Sequence, residues 1–165
     1  MEKYLTWTKG IFESTYQLFE NGQIKGSLFF DTWKNQAKGM LEDKNVSFQT
    51  NGFLDSTTQI YAGNAELIAT ITFEIWQTKA TVHFKSGAQY MFQFTNGWYT
   101  KWMITDLNKQ RITYDSDTSS GRIVSNTTDE VMLFAGLYIK ECFNRWLMLF
   151  IFLIVLIPII SRGVS

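Results

Sequence analysis

The chain has 165 residues, 15 basic and 15 acidic side chains, and a formal net charge of zero. That balance lacks the basic surplus a nucleic-acid binder uses against phosphates, and 45% apolar residues with 18% charged ones do not describe an acidic disordered tail. A single proline excludes a Pro-rich linker or a collagen, and a single cysteine, Cys142, excludes an internal disulfide, so no oxidising compartment is required.

The opening stretch, Met1 to Thr8, has no long apolar run and does not read as a secretory signal. The sequons at Asn45 and Asn126 are accordingly read as chance. Short alternating runs then follow at Thr15–Glu20, Ile24–Phe30, Ala37–Leu41, Val46–Gln49 and Gln59–Ala62. The strongest is Leu67–Trp76, where Leu67, Ala69, Ile71, Phe73 and Ile75 share one face and Thr70, Thr72 and Glu74 the other. A period of two is the mark of a half-buried strand. Ala80, Val82 and Phe84 oppose Thr81 and His83; Tyr90, Phe92 and Phe94 oppose Gln89 and Gln93. Trp98, Trp102 and Ile104 oppose Tyr99 and Lys101, and Arg111–Tyr114 and Gly121–Val124 close the series. Asn21-Gly22, Asn51-Gly52, Ser86-Gly87, Asn96-Gly97 and Ser120-Gly121 supply turns between them. The pattern predicts roughly ten to twelve antiparallel strands in a meander.

So many strands in a small domain must hide their edges, in a sandwich or in a closed barrel, and a barrel this large has a lumen to fill. The chain carries one candidate plug. Thr127-Thr128-Asp129-Glu130 reads as a capping box, with Thr127 accepting from the Glu130 amide. It is followed by a stretch apolar on every side, Val131–Ile139. At about 14 Å that stretch is too short to cross a hydrocarbon layer of roughly 30 Å. It suits the height of a barrel wall, on the order of 18 Å. The expected fold is therefore mainly β: a closed antiparallel barrel, residues 1–143, around a central helix near 129–142. Leu133, Phe134 and Leu137 fill the lumen, while Ala135 and Gly136 admit a close wall.

A second apolar block, Trp146–Ile160, carries no charge or hydroxyl and is flanked by Arg145 and Arg162. It reads as a transmembrane anchor within residues 144–165, with Trp146, Leu147, Phe150, Phe152, Leu156 and Ile160 meeting membrane lipid. A single span from Val131 to Ile160 would strand Lys140, Glu141, Asn144 and Arg145 in mid-bilayer, at about 2.5–3.5 kcal/mol per charge. A helix, a polar collar and a separate membrane segment fit better. Lys140 and Arg145 place the barrel on the cytoplasmic side. The competing expectation is that the block packs in the core or in an oligomer.

Chemistry-bearing residues are few. His83 is the one histidine, which excludes a two-histidine metal site, and its place in the alternation points it away from the lumen. Cys142 reads as a small apolar filler, with reversible acylation as the other possibility. Asp115–Gly121 lacks the spacing of a calcium loop and reads as a solvated turn. The aromatics of Trp98–Trp102 read as barrel wall. No catalytic fingerprint, cofactor loop or metal set is present, so no catalytic, cofactor or metal residue is assigned and the chain does not read as an enzyme.

The order of elements resembles the tubby-like barrels, a group that includes phospholipid scramblases and LURP-one-like proteins. The resemblance covers about residues 1–143. It is carried by the strand and turn series and by Asp129-Glu130-Val131-Met132-Leu133-Phe134-Ala135-Gly136-Leu137-Tyr138. It implies a barrel threaded by its C-terminal helix, and membrane association. The family's phosphoinositide sites use clustered Lys and Arg; here Lys34 with Lys38 and Lys109 with Arg111 come nearest, and no functional residue is carried over. The sequence leads to a membrane-anchored, non-enzymatic module for docking, scaffolding or lipid sensing, with an unknown protein partner. The alternative is a soluble carrier of an apolar ligand.

Overall fold

A computed structural model describes residues 2–10, 13–31, 34–42, 44–51, 57–63, 65–106, 110–127 and 129–162, the side chains only to 157 in the last range. Twelve strands are present: β1 Lys3–Lys9, β2 Thr15–Glu20, β3 Gln23–Asp31, β4 Gln36–Leu41, β5 Lys44–Thr50, β6 Thr57–Ala62, β7 Glu66–Glu74, β8 Lys79–Phe84, β9 Gln89–Phe94, β10 Lys101–Thr105, β11 Arg111–Ser116 and β12 Ser120–Ser125. Each pairs antiparallel with its sequence neighbours, and β1 pairs with β12 from Lys3↔Ser125 to Thr8↔Ser120, closing the barrel. Closure leaves no free edge, which is the solution the strand count demanded.

The strand runs read from alternation are all present, with shifted ends. Gly52 of the expected Asn51-Gly52 turn lies outside the described residues. β1 was not anticipated: only Leu5 and Trp7 turn inward, too short a pattern to stand out. Leu67 and Ile75 are less buried than the rest of their expected face. The β6–β7 register shifts between Ile60 and Tyr61, and Ile75 opens a 3₁₀ turn, Ile75–Gln77. Trp98 is not on a strand. Asn96 Oδ1 accepts from the amides of Thr100 (3.1 Å) and Lys101 (3.0 Å), and Tyr99 takes a left-handed φ of 57°. The resulting wide turn delays β10 to Lys101 and leaves Trp98 86% exposed.

Among the described residues one α-helix, α1 Glu130–Arg162, fills the barrel and continues beyond it. It starts two residues later than the capping box placed it: Asp129 Oδ1 accepts from the Val131 amide (3.0 Å), while Thr127 Oγ1 accepts from the Asp129 amide (3.2 Å). The expected break at the collar is absent. Lys140 donates to Asn144 and Arg145 to Glu141, each four residues apart, and Lys, Glu and Arg are good helix formers. The polar residues mark a change of surroundings and not the end of a helix.

Met132, Leu133, Phe134, Ala135, Leu137 and Ile139 are buried against the inner faces of the strands. Small residues set the clearances. A methyl added at Gly39 would lie 2.9 Å from the Phe134 ring, and one at Gly136 would overlap the phenol of Tyr114. The Tyr114 hydroxyl donates to the carbonyls of Met132 (3.0 Å) and Leu133 (3.1 Å), locking β11 to the helix at that close approach. Tyr138 stacks between Phe48 (4.4 Å) and Phe30 (5.6 Å), and its hydroxyl shares a hydrogen bond with Thr50 (2.8 Å).

Candidate functional site: the helix-exit end

Strand direction sorts the connections. Those joining β1–β2, β3–β4, β5–β6, β7–β8, β9–β10 and β11–β12 lie at the end where α1 leaves; the others lie where it enters. The entry end is laced with ion pairs: Lys25 with Glu20 (3.7 Å) and Glu42 (3.5 Å), and Lys44 with Glu130 (3.1 Å). The exit end is different. Leu147, Met148, Phe150 to Val155 and Ile157 are all exposed. Trp76, in the 3₁₀ turn, is 90% exposed and its ring lies 6.0 Å from that of Phe150. Trp98 stands out from the β9–β10 turn at the same end.

The anchor residues read from sequence divide three ways. Trp146 belongs to the barrel, packing edge-on against Phe73 (4.9 Å) and Phe143 (5.4 Å). Leu147, Phe150 and Phe152 are exposed and Leu156 is half-buried; the Ile160 side chain lies outside the described residues. The block is not tucked into the core, as the competing expectation had it. Neither does it form the expected transmembrane span: among the described residues no helix is long and apolar enough to cross a membrane. From Trp146 to Arg162 the helix rises about 25 Å, against roughly 30 Å of hydrocarbon.

A polar cluster sits in the barrel mouth below this flank. Glu141 is 7% exposed. Its Oε2 accepts from Lys9 Nζ (2.8 Å) and from the Tyr16 hydroxyl (2.8 Å), and its Oε1 from Arg145 Nε (3.4 Å). Burial works to raise the Glu141 pKa, but the hydrogen bond and charge of Lys9, the Tyr16 hydroxyl and Arg145 outweigh it and hold the carboxyl below its ordinary range. Lys140 is the opposite case. Burial pushes its ammonium down to about 8, the charge of Lys9 adds to this, and Glu141 only partly offsets it. No carboxylate lies within ion-pair distance of Lys140 among the described residues; its ammonium donates to Asn144 Oδ1 and faces the rings of Trp102 (5.6 Å) and Phe94 (5.8 Å).

The other singled-out residues take simpler places. Cys142 lies against Tyr138 inside the barrel, where burial pushes its thiol up to about 12. His83 is half-buried on the outer face, opposite Thr70. Asp115–Gly121 is a β11–β12 hairpin more than a loop, with Asp115 clamping Arg122 through two contacts of 2.8 and 3.2 Å. Lys34 pairs with Asp31 (3.7 Å), Lys38 lies exposed on β4, and Lys109 lies outside the described residues. No group of three His, Cys, Asp or Glu able to hold a metal is found among the described residues. Sequence reasoning missed Lys9, Tyr16 and Trp76; the one signal available was the Lys140-Glu141 pair set in an apolar helix. Comparison with family models, curated proteins and solved structures finds no match.

Proposed function

We propose that this chain is a non-enzymatic β-barrel module of the tubby-like kind, held at a lipid bilayer by the exposed half of α1 and serving there in docking or lipid sensing. The observation that carries the reading is the run of apolar side chains from Leu147 to Ile157, all exposed but the half-buried Leu149 and Leu156, on a helix rooted in the barrel core. Each large apolar side chain left in water forgoes about 1.5–3 kcal/mol of burial. A contiguous patch of this kind marks a partner surface. Trp76 and Trp98 flank it at the same end, as aromatic side chains do at a membrane interface. The helix enters one leaflet without crossing, and the entry end, with its ion pairs, faces water. Placing the barrel on the cytoplasmic side goes with this reading, on the lysine and arginine that precede the exposed half.

Flotation of the full chain with phosphatidylcholine vesicles tests it. The chain is expected in the vesicle fraction, and the double variant Phe152→Asp, Ile154→Asp in the aqueous fraction with an unchanged far-UV spectrum. Recovery of the unaltered chain from water as a monodisperse oligomer would instead assign the exposed half to contacts between copies.

A further inference from the structure

A second feature of the helix-exit end is a cavity of 110 Å³ between the 3₁₀ turn, the end of β9 with the turn after it, and α1. Ile75, Phe94, Tyr99, Phe143, Trp146 and Phe150 give it an apolar lining. The rings brace one another edge to face: Phe94 on Tyr99 (4.7 Å) and on Phe143 (5.7 Å), Trp146 on Phe143 (5.4 Å) and on Phe73 (4.9 Å). Walls fixed in this way cannot fold inward to close the space, and a void of this size is uncommon in a packed protein. Of the polar groups in the lining, the Thr78 hydroxyl donates to the Gln77 carbonyl (2.7 Å) and Asn144 Oδ1 accepts from Lys140. Tyr99 is 39% exposed and can keep its hydroxyl in water. The cavity therefore asks for carbon and not for a charged or hydrogen-bonding group.

Volume and position narrow the occupant. An apolar cavity of about 150 Å³ takes benzene, six carbons, so 110 Å³ takes about four. That is too few for an aromatic side chain and suits the end of an alkyl chain. Leu147 and Phe150 line the cavity and also begin the exposed flank, three residues apart on one helix face. An occupant can thus continue out of the cavity as an apolar strip along α1, which a long chain does and a compact side chain does not. Both exposed tryptophans adjoin the lining, Trp76 next to Ile75 and Trp98 next to Tyr99. We infer that the cavity receives the end of one acyl chain of a membrane lipid, drawn back from the hydrocarbon to the level of Trp76 and Trp98. The chain is recognised and the headgroup is not. This rests on the membrane reading above and adds to it a defined seat for a single lipid chain at the root of the flank.

The test uses the full chain in phosphatidylcholine nanodiscs whose lipids carry ¹³C only at the chain-terminal methyl. Nuclear Overhauser contacts from that methyl are expected at the rings of Tyr99 and Phe143, in the cavity, as well as at Phe152, on the exposed flank. Ile75→Phe puts a ring into the cavity; it should lose the contacts at Tyr99 and Phe143, keep the one at Phe152, and float with vesicles as the unaltered chain does. Phosphatidylglycerol carrying the same label should give the same contacts. Should Ile75→Phe fail to fold, the unaltered protein alone decides. Contact at Phe152 without contact at Tyr99 and Phe143 would overturn the acyl-chain seat and leave the membrane reading standing, with a leucine or isoleucine side chain of a protein partner as the occupant that fits. Contacts at Tyr99 and Phe143 that survive undiminished in a folded Ile75→Phe, or that appear with one headgroup and not the other, would overturn it as well. Failure of the unaltered chain to join the discs would overturn both readings together.

Discussion

The two halves of α1 carry the same residue types in opposite surroundings, and that difference is measurable. Phe134 is fully buried, and its ring lies on Gly39, where β4 offers backbone and no side chain that could move in to fill a void. Phe134→Ala therefore leaves a cavity with little means of collapse. Such truncations cost about 3–5 kcal/mol, and the rigid wall at Gly39 places this one in the upper part of that range. Ile154, twenty residues along the same helix, is 69% exposed. Ile154→Ala should change stability by less than about 0.5 kcal/mol. For a chain of this length about 1 kcal/mol moves Tm by roughly 2–4 °C, so Phe134→Ala should unfold on the order of 10 °C lower while Ile154→Ala superimposes on the unaltered protein. Thermal unfolding by circular dichroism, in a detergent that covers the exposed half equally in all samples, reads both. Losses within about 1 kcal/mol of each other would refute the division of the helix into a barrel core and an exposed flank.

Gly136→Ala should cost about 1–3 kcal/mol by forcing a methyl into the Tyr114 phenol, and denaturant unfolding of this variant beside Tyr114→Phe separates the steric cost from the lost hydrogen bonds. Lys140→Met should stabilise the protein at neutral pH, because a half-buried ammonium is removed. Since the folded Lys140 pKa lies below the unfolded one, the unfolded state binds more protons between about 8 and the ordinary lysine range; the unaltered protein should gain stability as pH rises through 8 toward 10, and Lys140→Met should lose that rise. Glu141 has the opposite consequence: its folded pKa is depressed, so the stability it contributes is present above the ordinary carboxylate range and is lost as pH falls through the folded value. Glu141→Gln should flatten that acid limb in a pH series of Tm, and should destabilise by about 3–5 kcal/mol at pH 7 by leaving Lys9 unpaired in the mouth.

Local pattern carried most of the fold. Period-two alternation with Asn-Gly and Ser-Gly turns located eleven of the strands, because each buries one face against the same lumen. The central helix was legible from Val131–Ile139, since a stretch apolar all round must be buried. What escaped was set by contacts remote in the chain or by turn detail. β1 shows two inward residues and earns its place by closing onto β12. Trp98 fits the alternation of β10 but is thrown outward by the Asn96 side chain. The collar looked like a break because charge in an apolar run suggests one; inside the mouth Glu141 meets Lys9 and Tyr16, Arg145 pairs with Glu141, and Lys140 donates to Asn144. Lys9 and Glu141 are 132 positions apart, and no local reading joins them.

The account turns on which end of the barrel meets lipid. With Cys142 replaced by alanine, nitroxide labels at positions 44, 76, 98 and 154 on vesicle-bound protein report depth through their relative accessibility to oxygen and to a water-soluble nickel chelate. The label at 154 should sit in hydrocarbon, those at 76 and 98 at headgroup level, and that at 44 in water. Labels at 76, 98 and 154 as open to the nickel chelate as the label at 44 would contradict it.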